Sequence, residues 1–207
     1  MITVGFDMLF YSLVCFTSTH FKLLQGAFAT IKEKAIAQTG GVREIIPGEL
    51  QERMYDELRS CIRHLQLILE ICEKLESIFN LLILLQTLVS LVVFCTCLFI
   101  ISTIPIGSNI PGNEITYMLA IENQLALYCY AGNKLTTRAA EIPNAIYSSD
   151  WLITTSTRYR RNIIFTMMRM TKPIHLTAGK FTAMTLATFV TIGRGSYSLF
   201  AVLNTAQ

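Results

Sequence analysis

Charged side chains are scarce in this 207-residue chain, since aspartate, glutamate, lysine and arginine make up only 15% of it. A soluble domain usually carries about 25% charged residues. Hydrophobic residues account for 52%, and the mean hydropathy is +0.48. Composition therefore favours a membrane protein. The net charge of +3 is too small and too scattered to indicate a nucleic-acid-binding protein.

Sequence motifs of enzyme active sites are also missing. There is no phosphate-binding glycine loop, no Gly-x-Ser-x-Gly motif and no dinucleotide fingerprint. His20, His64 and His175 lie on three different segments without a second ligand at helical spacing, so no metal site is expected. The cysteines fall in predicted membrane or cytosolic segments, where small apolar thiols are the usual interpretation. We expect no enzyme, no catalytic residue and no cofactor.

Long apolar runs are what the sequence does contain. Residues 78–104 carry no charge, and at ~1.5 Å per residue such a helix crosses a bilayer. The other candidate spans are 2–21, 115–131 and 181–203. The first of these has no basic residues before its apolar run, and Asp7 interrupts it, so it does not resemble a signal peptide.

Lysine and arginine are distributed unevenly between these runs. Of 17 basic residues, eight lie in 22–74 and eight in 134–180, while the remaining one is Arg194. The connection 105–114 has none. Because basic loops stay on the cytoplasmic side, both long hydrophilic segments are predicted inside, and the C-terminus outside.

A heptad pattern precedes the strongest span. Apolar residues alternate at spacings of four and three, which predicts a helix with an apolar seam that continues into 78–104. The seam residues are Met54, Leu58, Cys61, Leu65, Ile68, Cys72 and Leu75. Two interpretations remain open, namely packing within the chain and contact between subunits.

Glycine and proline punctuate the remainder of the chain. We predict that Gly132 ends the third span and that Pro143 starts or breaks a short element. Residues 158–171 read as a helix that Lys172 and Pro173 stop. The last element is therefore predicted to be divided in two.

The terminal span, 181–203, carries regular rows of small and hydroxyl side chains, which let helices approach closely or face water. The threonine row is Thr182, Thr185, Thr188 and Thr191, and the second row is Ala183, Ala187, Thr191 and Gly195. Arg194 is expected to face another helix or the headgroups.

Residues dispersed along essentially the whole chain occur in the same order as in one family of membrane receptors. Residues similar to the family's fourth helix are Asp7, Phe10, His20, Phe21 and Leu24, and those similar to its fifth are Cys61, Ile62, His64, Leu75, Glu76, Ile78, Phe79, Gln86, Ser90 and Cys95. The end of the sixth helix and the loop after it are matched by Tyr128, Gly132, Leu135, Tyr147 and Trp151. The split seventh helix is matched by Arg169, Lys172, Pro173, Thr177, Ala178, Gly179, Phe181, Phe189, Ser196, Tyr197 and Ser198. The chain therefore resembles insect odorant receptors, specifically their C-terminal half.

The resemblance implies an all-α, multi-pass membrane bundle with four spans, equivalent to helices four to seven, and cytosolic helical extensions. The first implied segments are a partial helix four at 1–24, a cytosolic loop and heptad helix at 25–77, and helix five at 78–104. An extracellular loop at 105–114 leads to helix six at 115–131 and a cytosolic loop at 132–157. Helix seven follows, with its cytosolic half at 158–180 and its pore-lining half at 181–204.

Members of the family are odorant-gated, nonselective cation channels that assemble with a shared co-receptor subunit as heterotetramers. They reside in the plasma membrane of olfactory neuron dendrites and bind small volatile ligands. The resemblance implies a pore lined by Phe200, Leu203 and Asn204. It implies a remnant of the ligand pocket at Tyr117 and Ile121, and a subunit anchor at Leu58, Leu65, Ile68 and Leu75.

Helices one to three have no counterpart in this sequence, and the family's odorant pocket lies among the second, third, fourth and sixth helices, of which only the sixth is complete here. The chain is therefore expected to keep the pore and the anchor while lacking most of the ligand site. Alternatives are a gustatory-type receptor subunit, a non-conducting assembly fragment, and a G-protein-coupled receptor, whose C-terminus would be cytosolic.

Overall fold

The computed structural model describes residues 2–38, 47–103, 112–153 and 156–205. These form an all-α structure, as predicted. The helices are α1 (Ile2–Ala29), α2 (Ile31–Gln38), α3 (Pro47–Thr103), α4 (Gly112–Ala140), α5 (Ile142–Tyr147), α6 (Thr157–Met170) and α7 (Leu186–Thr205). A 3₁₀ turn spans Trp151–Ile153, and the short strands β1 (Thr177–Ala178) and β2 (Thr182–Ala183) lie between α6 and α7.

The chain folds into two compact units. Unit 1 contains the described residues of Met1–Leu13, Leu75–Asn133 and His175–Gln207. Unit 2 contains those of Val14–Lys74 and Lys134–Ile174. Unit 1 thus holds most of the predicted spans, while unit 2 holds most of the two hydrophilic segments.

Helix α3 is a single helix of 57 residues, which confirms that the heptad helix continues into the apolar run. Its N-terminus has Pro47 in the first turn and Glu49 nearby, both favourable at a helix start. Among the described residues, the segment Gly48–Ile100 is the one that is long and apolar enough to cross a membrane by length and composition. The arrangement with four spans stays a prediction.

Helix α4 does not end at Gly132 but continues through it to Ala140, and the boundary of the third span at this residue stays a prediction. Glycine is needed there for a different reason. A Cβ atom on Gly132 would lie 2.5 Å from the carbonyl oxygen of Met184, so the backbones approach too closely for a side chain. Beyond Gly132, Leu135 and Ala139 are buried and continue the apolar face of the helix.

The last element is divided in two, as predicted. Helix α6 begins at the cap residue Ser156, whose hydroxyl accepts a hydrogen bond from the Tyr159 amide, and it ends before Pro173. Strands β1 and β2 then pair antiparallel, with Thr177 opposite Ala183. The turn between them needs positive φ angles, 58° at Gly179 and 64° at Lys180.

Helix α7 begins five residues later than the predicted span, at Leu186. Thr182 and Ala183 belong to β2, so the threonine and alanine rows are not continuous helical faces. Thr185 instead precedes the helix, and its hydroxyl accepts a hydrogen bond from the Thr188 amide at 3.3 Å. A threonine in this position satisfies an amide that the first helical turn leaves unpaired.

Candidate ligand-binding groove

A groove of about 700 Å³ in unit 1 is formed by α1, α3 and α4. Small-molecule sites commonly enclose roughly 300–1,000 Å³. Tyr117 and Ile121, the two residues predicted for a ligand pocket, both line it. The other lining residues are Asp7, Met8, Phe10, Tyr11, Gln86, Val89, Ala120, Asn123, Gln124, Leu127 and Tyr128. Because most of the wall is apolar or aromatic, the groove suits a small hydrophobic molecule.

Asp7 forms the polar centre of this groove. The Gln124 amide donates to its Oδ2 at 2.6 Å, and the Tyr128 hydroxyl donates to its Oδ1 at 2.5 Å. Hydrogen bonds to a carboxylate are among the stronger ones in proteins. No lysine or arginine lines the groove in the described part of the chain. The groove therefore offers a ligand a mostly apolar wall with a few polar groups, and the carboxylate among them is held by Gln124 and Tyr128.

Aromatic packing holds Tyr128 in place. Its ring stacks on Phe10 with 4.7 Å between centroids and an interplanar angle of 24°. Phe10, which is 1% exposed, also meets Phe79 edge-on at 5.0 Å. Such pairs add stability beyond the area they bury. The sequence showed Asp7 and Gln124 as polar interruptions of two apolar runs, but it did not show that they meet.

A smaller cavity of about 110 Å³ lies between α3, α4 and α7 in the same unit. Glu122 and Ile121 line it from α4, and Val190 and Gly193 line it from α7. Ile121 therefore contributes to the wall of the ligand groove and also to the cavity against the terminal helix. One side chain of α4 connects the two spaces.

The predicted pore residues Phe200, Leu203 and Asn204 belong to the backbone of α7. Their side chains lie outside the described part of the chain, so their role stays a prediction. Arg194 is exposed on α7, and no ion pair among the described residues involves it. Its predicted orientation relative to a pore is not tested by these features.

The predicted anchor residues Leu58, Leu65, Ile68 and Leu75 are at most 5% exposed in the single chain. The seam is thus packed within the single chain, and its role as a subunit anchor stays a prediction. Apolar side chains remain exposed on α6, where Ile164 is 44% exposed and Met168 is 63% exposed. The sequence marked both as apolar positions of a helix without indicating that they face outwards.

Unit 2 also brings together residues that seemed unrelated. Nδ1 of His20 lies 3.3 Å from Nε2 of His64. Among the described residues, no group of three metal-binding side chains includes them.

Burial raises the pKa of the Cys72 thiol to about 12, so it stays protonated at neutral pH. This agrees with its interpretation as a small apolar residue.

The described residues thus combine an all-α fold, one helix of membrane-spanning length and an apolar groove of small-molecule size. The family model described as the 7tm odorant receptor matches residues 1–197. The chain therefore belongs to the odorant receptor family, and the resemblance to the C-terminal half of insect odorant receptors is confirmed.

Curated relatives from Drosophila melanogaster are similar along much of the chain. Odorant receptor 46a, isoform B, is 27% identical, and the match covers 98% of this chain and 51% of that receptor. Odorant receptor 2a is 26% identical, with coverage of 76% of this chain and 40% of that receptor. The chain spans about half the length of the curated relatives it matches.

Solved structures agree in fold. The insect olfactory receptor OR5 from Machilis hrabei in complex with eugenol superposes with a TM-score of 0.80 at 17% identity. The match covers 97% of this chain and 48% of that one. A second structure of the same receptor gives a TM-score of 0.79. At this level of identity, the likeness supports the helical architecture alone.

Proposed function

We propose that the chain is a subunit of an odorant-gated, nonselective cation channel in the plasma membrane of olfactory neurons. Its proposed orientation places the C-terminus outside the cell. Membership of the odorant receptor family supports the receptor role. The observation that carries the channel role is the position of Ile121, which lines both the ligand groove and the cavity against α7.

In this proposal, the ligand acts through α4. A ligand shifts a conformational equilibrium only if it binds one state better than the other. A small apolar molecule beside Tyr117 and Ile121 would favour the arrangement of α4 that fits it. Because Ile121 and Glu122 also face the cavity lined by α7, a change in α4 reaches the terminal helix without an intermediate element.

The proposed pore lies in the last turns of α7. Phe200 forms a hydrophobic constriction that closes by dewetting, and Leu203 and Asn204 lie towards the outer mouth. An arginine would repel cations on their path, so Arg194 is placed away from the pore axis. This assignment rests on the resemblance of the terminal segment to the family's seventh helix.

The proposed partner is an odorant co-receptor subunit, with which the chain forms a heterotetramer. The buried leucines of the seam stabilise the fold of unit 2. The exposed side chains of Ile164 and Met168 then contact the partner subunit. These residues are spaced four apart, so they lie on one face of α6. Apolar side chains exposed side by side favour a protein partner.

The test is to co-express the chain with an odorant co-receptor and to record odorant-evoked current. Ile121→Ala is expected to raise the half-maximal odorant concentration roughly tenfold, because about 1.4 kcal/mol of binding energy corresponds to a factor of ten. Leu119→Ala is the matched control, since Leu119 is on the same helix, is 56% exposed and does not line the groove.

Surface labelling of a tag after Gln207 accompanies the recordings. Labelling of intact cells is expected, and labelling only after permeabilisation would contradict the proposed orientation. If the wild-type chain reaches the surface with the co-receptor and gives no odorant-evoked current, the channel proposal fails, and a non-conducting assembly role replaces it.

A further inference from the structure

A second groove, of about 460 Å³, lies between α3 and α6 in unit 2. Three arginines line it, Arg59 and Arg63 from α3 and Arg169 from α6. The amide side chains of Gln66 and Asn162 line it as well. No aspartate or glutamate of the described ranges contributes to its wall. The groove is therefore rich in hydrogen-bond donors and carries charge of one sign.

The three guanidinium groups have no carboxylate within ion-pair distance in the described part of the chain. No ion pair among the described residues involves Arg59, Arg63 or Arg169. Four other cations of unit 2, Lys32, Arg53, Lys74 and Arg138, do have a carboxylate partner, as in the contact of Lys32 with Asp150 at 2.9 Å. Like charges that line one groove repel each other, and bound anions relieve this repulsion.

The other lining residues fit an anion that also carries an uncharged, partly apolar group. Tyr55 lines the groove, and its hydroxyl is 3.5 Å from the Asn162 amide. The guanidinium of Arg158 lies 4.9 Å from the centre of the Tyr55 ring, which brings a fourth cation to the edge. Guanidinium groups match phosphate oxygens with two parallel hydrogen bonds, whereas Leu65 and Phe165 supply apolar surface.

We propose that this groove binds a multiply charged, phosphate-bearing ligand. The site is separate from the odorant groove and does not depend on the proposed channel function. The phosphate could belong to a soluble molecule or to a lipid headgroup. Arg59 and Arg63 precede Ile78, the start of the predicted span, by 19 and 15 residues, or ~22 to 28 Å of helix. The headgroup layer is only about 5–8 Å thick, so the position favours a soluble ligand.

The experiment measures binding of two probes to the purified chain. One arm uses inositol trisphosphate with protein in detergent, and the other uses protein in nanodiscs that contain phosphatidylinositol 4,5-bisphosphate. Saturable binding is expected in the first arm, and the double variant Arg63→Gln/Arg169→Gln is expected to weaken it at least tenfold. Arg161→Gln is the matched control, because Arg161 is an exposed arginine of α6 that does not line the groove.

Binding confined to the nanodisc arm, and lost in the double variant, would support the site with a lipid headgroup as its ligand. The proposal is overturned if neither probe binds, or if Arg161→Gln weakens binding as much as the double variant. Circular dichroism establishes that each variant is folded. If the double variant instead separates the chain from its co-receptor without any probe binding, a second protein chain occupies the groove and the proposal is wrong.

Discussion

The two grooves differ in what lines them and in how their charges are balanced. In unit 1 the groove is mostly apolar, and its carboxylate at Asp7 accepts hydrogen bonds from Gln124 and Tyr128. In unit 2 the groove carries three arginines, and no carboxylate of the described residues lines it. The first groove has its charged group satisfied by the chain itself, whereas the second leaves its charges for another molecule.

This difference separates a site that recognises shape from a site that recognises charge. A small uncharged ligand gains affinity by leaving water for an apolar wall, and a satisfied Asp7 does not oppose this. A phosphate gains affinity from charge-assisted hydrogen bonds, which need available donors. The variants below test whether each groove is built in the way described, from the largest expected effect to the smallest.

Leu58→Ala is expected to lower the free energy of unfolding by about 2–5 kcal/mol, because it removes a buried side chain and leaves a cavity. Leu58 is 0% exposed, and it lies on α3 one residue before Arg59 of the charged groove. Leu67→Ala on the same helix, where the side chain is 59% exposed, is the control with little expected change. Thermal unfolding in detergent measures both.

Equal losses in the two leucine variants would contradict the burial of the seam. If Leu58→Ala lowers the free energy of unfolding only when the co-receptor is present, the seam contacts a second subunit, which is the other interpretation of the heptad pattern.

Asp7→Leu is expected to cost about 1–3 kcal/mol, because the buried Tyr128 hydroxyl loses its acceptor. Tyr128 is 5% exposed, so water does not replace the lost bond freely. Asp7→Asn keeps an acceptor oxygen of nearly the same shape and should lose less. If both variants are as stable as the wild type, the carboxylate does not organise the groove, and the contrast between the two grooves is weaker than described.

Much of the helical architecture follows from periodicity and from the positions of proline. The unbroken helix α3, the short element at Pro143 and the split of the last element were all predicted from local patterns. The meeting of Asp7 with Tyr128 could not be predicted, because 121 residues separate them in sequence and a single sequence carries no contact information. For the same reason, the sequence did not show that Arg169 lies with Arg59 and Arg63.

At Gly132 the local sequence signal is misleading, because a contact with a distant part of the chain explains the glycine. As a local signal, glycine indicates a helix end, yet here it marks a close contact with Met184 from a distant part of the chain. The late start of α7 is similar, since the spacing of the threonines fits a helix, while pairing of Thr177 with Ala183 in the hairpin prevents one.

Gly132→Ala is therefore expected to destabilise unit 1 by about 1–3 kcal/mol, the usual cost of overpacking. The added Cβ would lie 2.5 Å from a backbone oxygen, which has little freedom to move. Gly195→Ala is the matched control, because nothing lies within 4 Å of the position that its Cβ would take and alanine favours a helix by up to about 1 kcal/mol. Opposite shifts in the unfolding temperatures of the two variants would support the close contact.

The smallest expected effect is also the one that bears most directly on the comparison. Arg63→Gln should leave stability unchanged or raise it by less than about 1 kcal/mol without a ligand, since it relieves repulsion between solvent-exposed charges. Arg138→Gln should act in the opposite direction, because Arg138 is paired with Glu141 at 3.3 Å. Both changes should shrink at high salt, where screening acts over roughly 3 Å at 1 M. A loss of stability in Arg63→Gln would mean that the arginine supports the fold, and the groove in unit 2 would then be a structural feature rather than a site prepared for an anion.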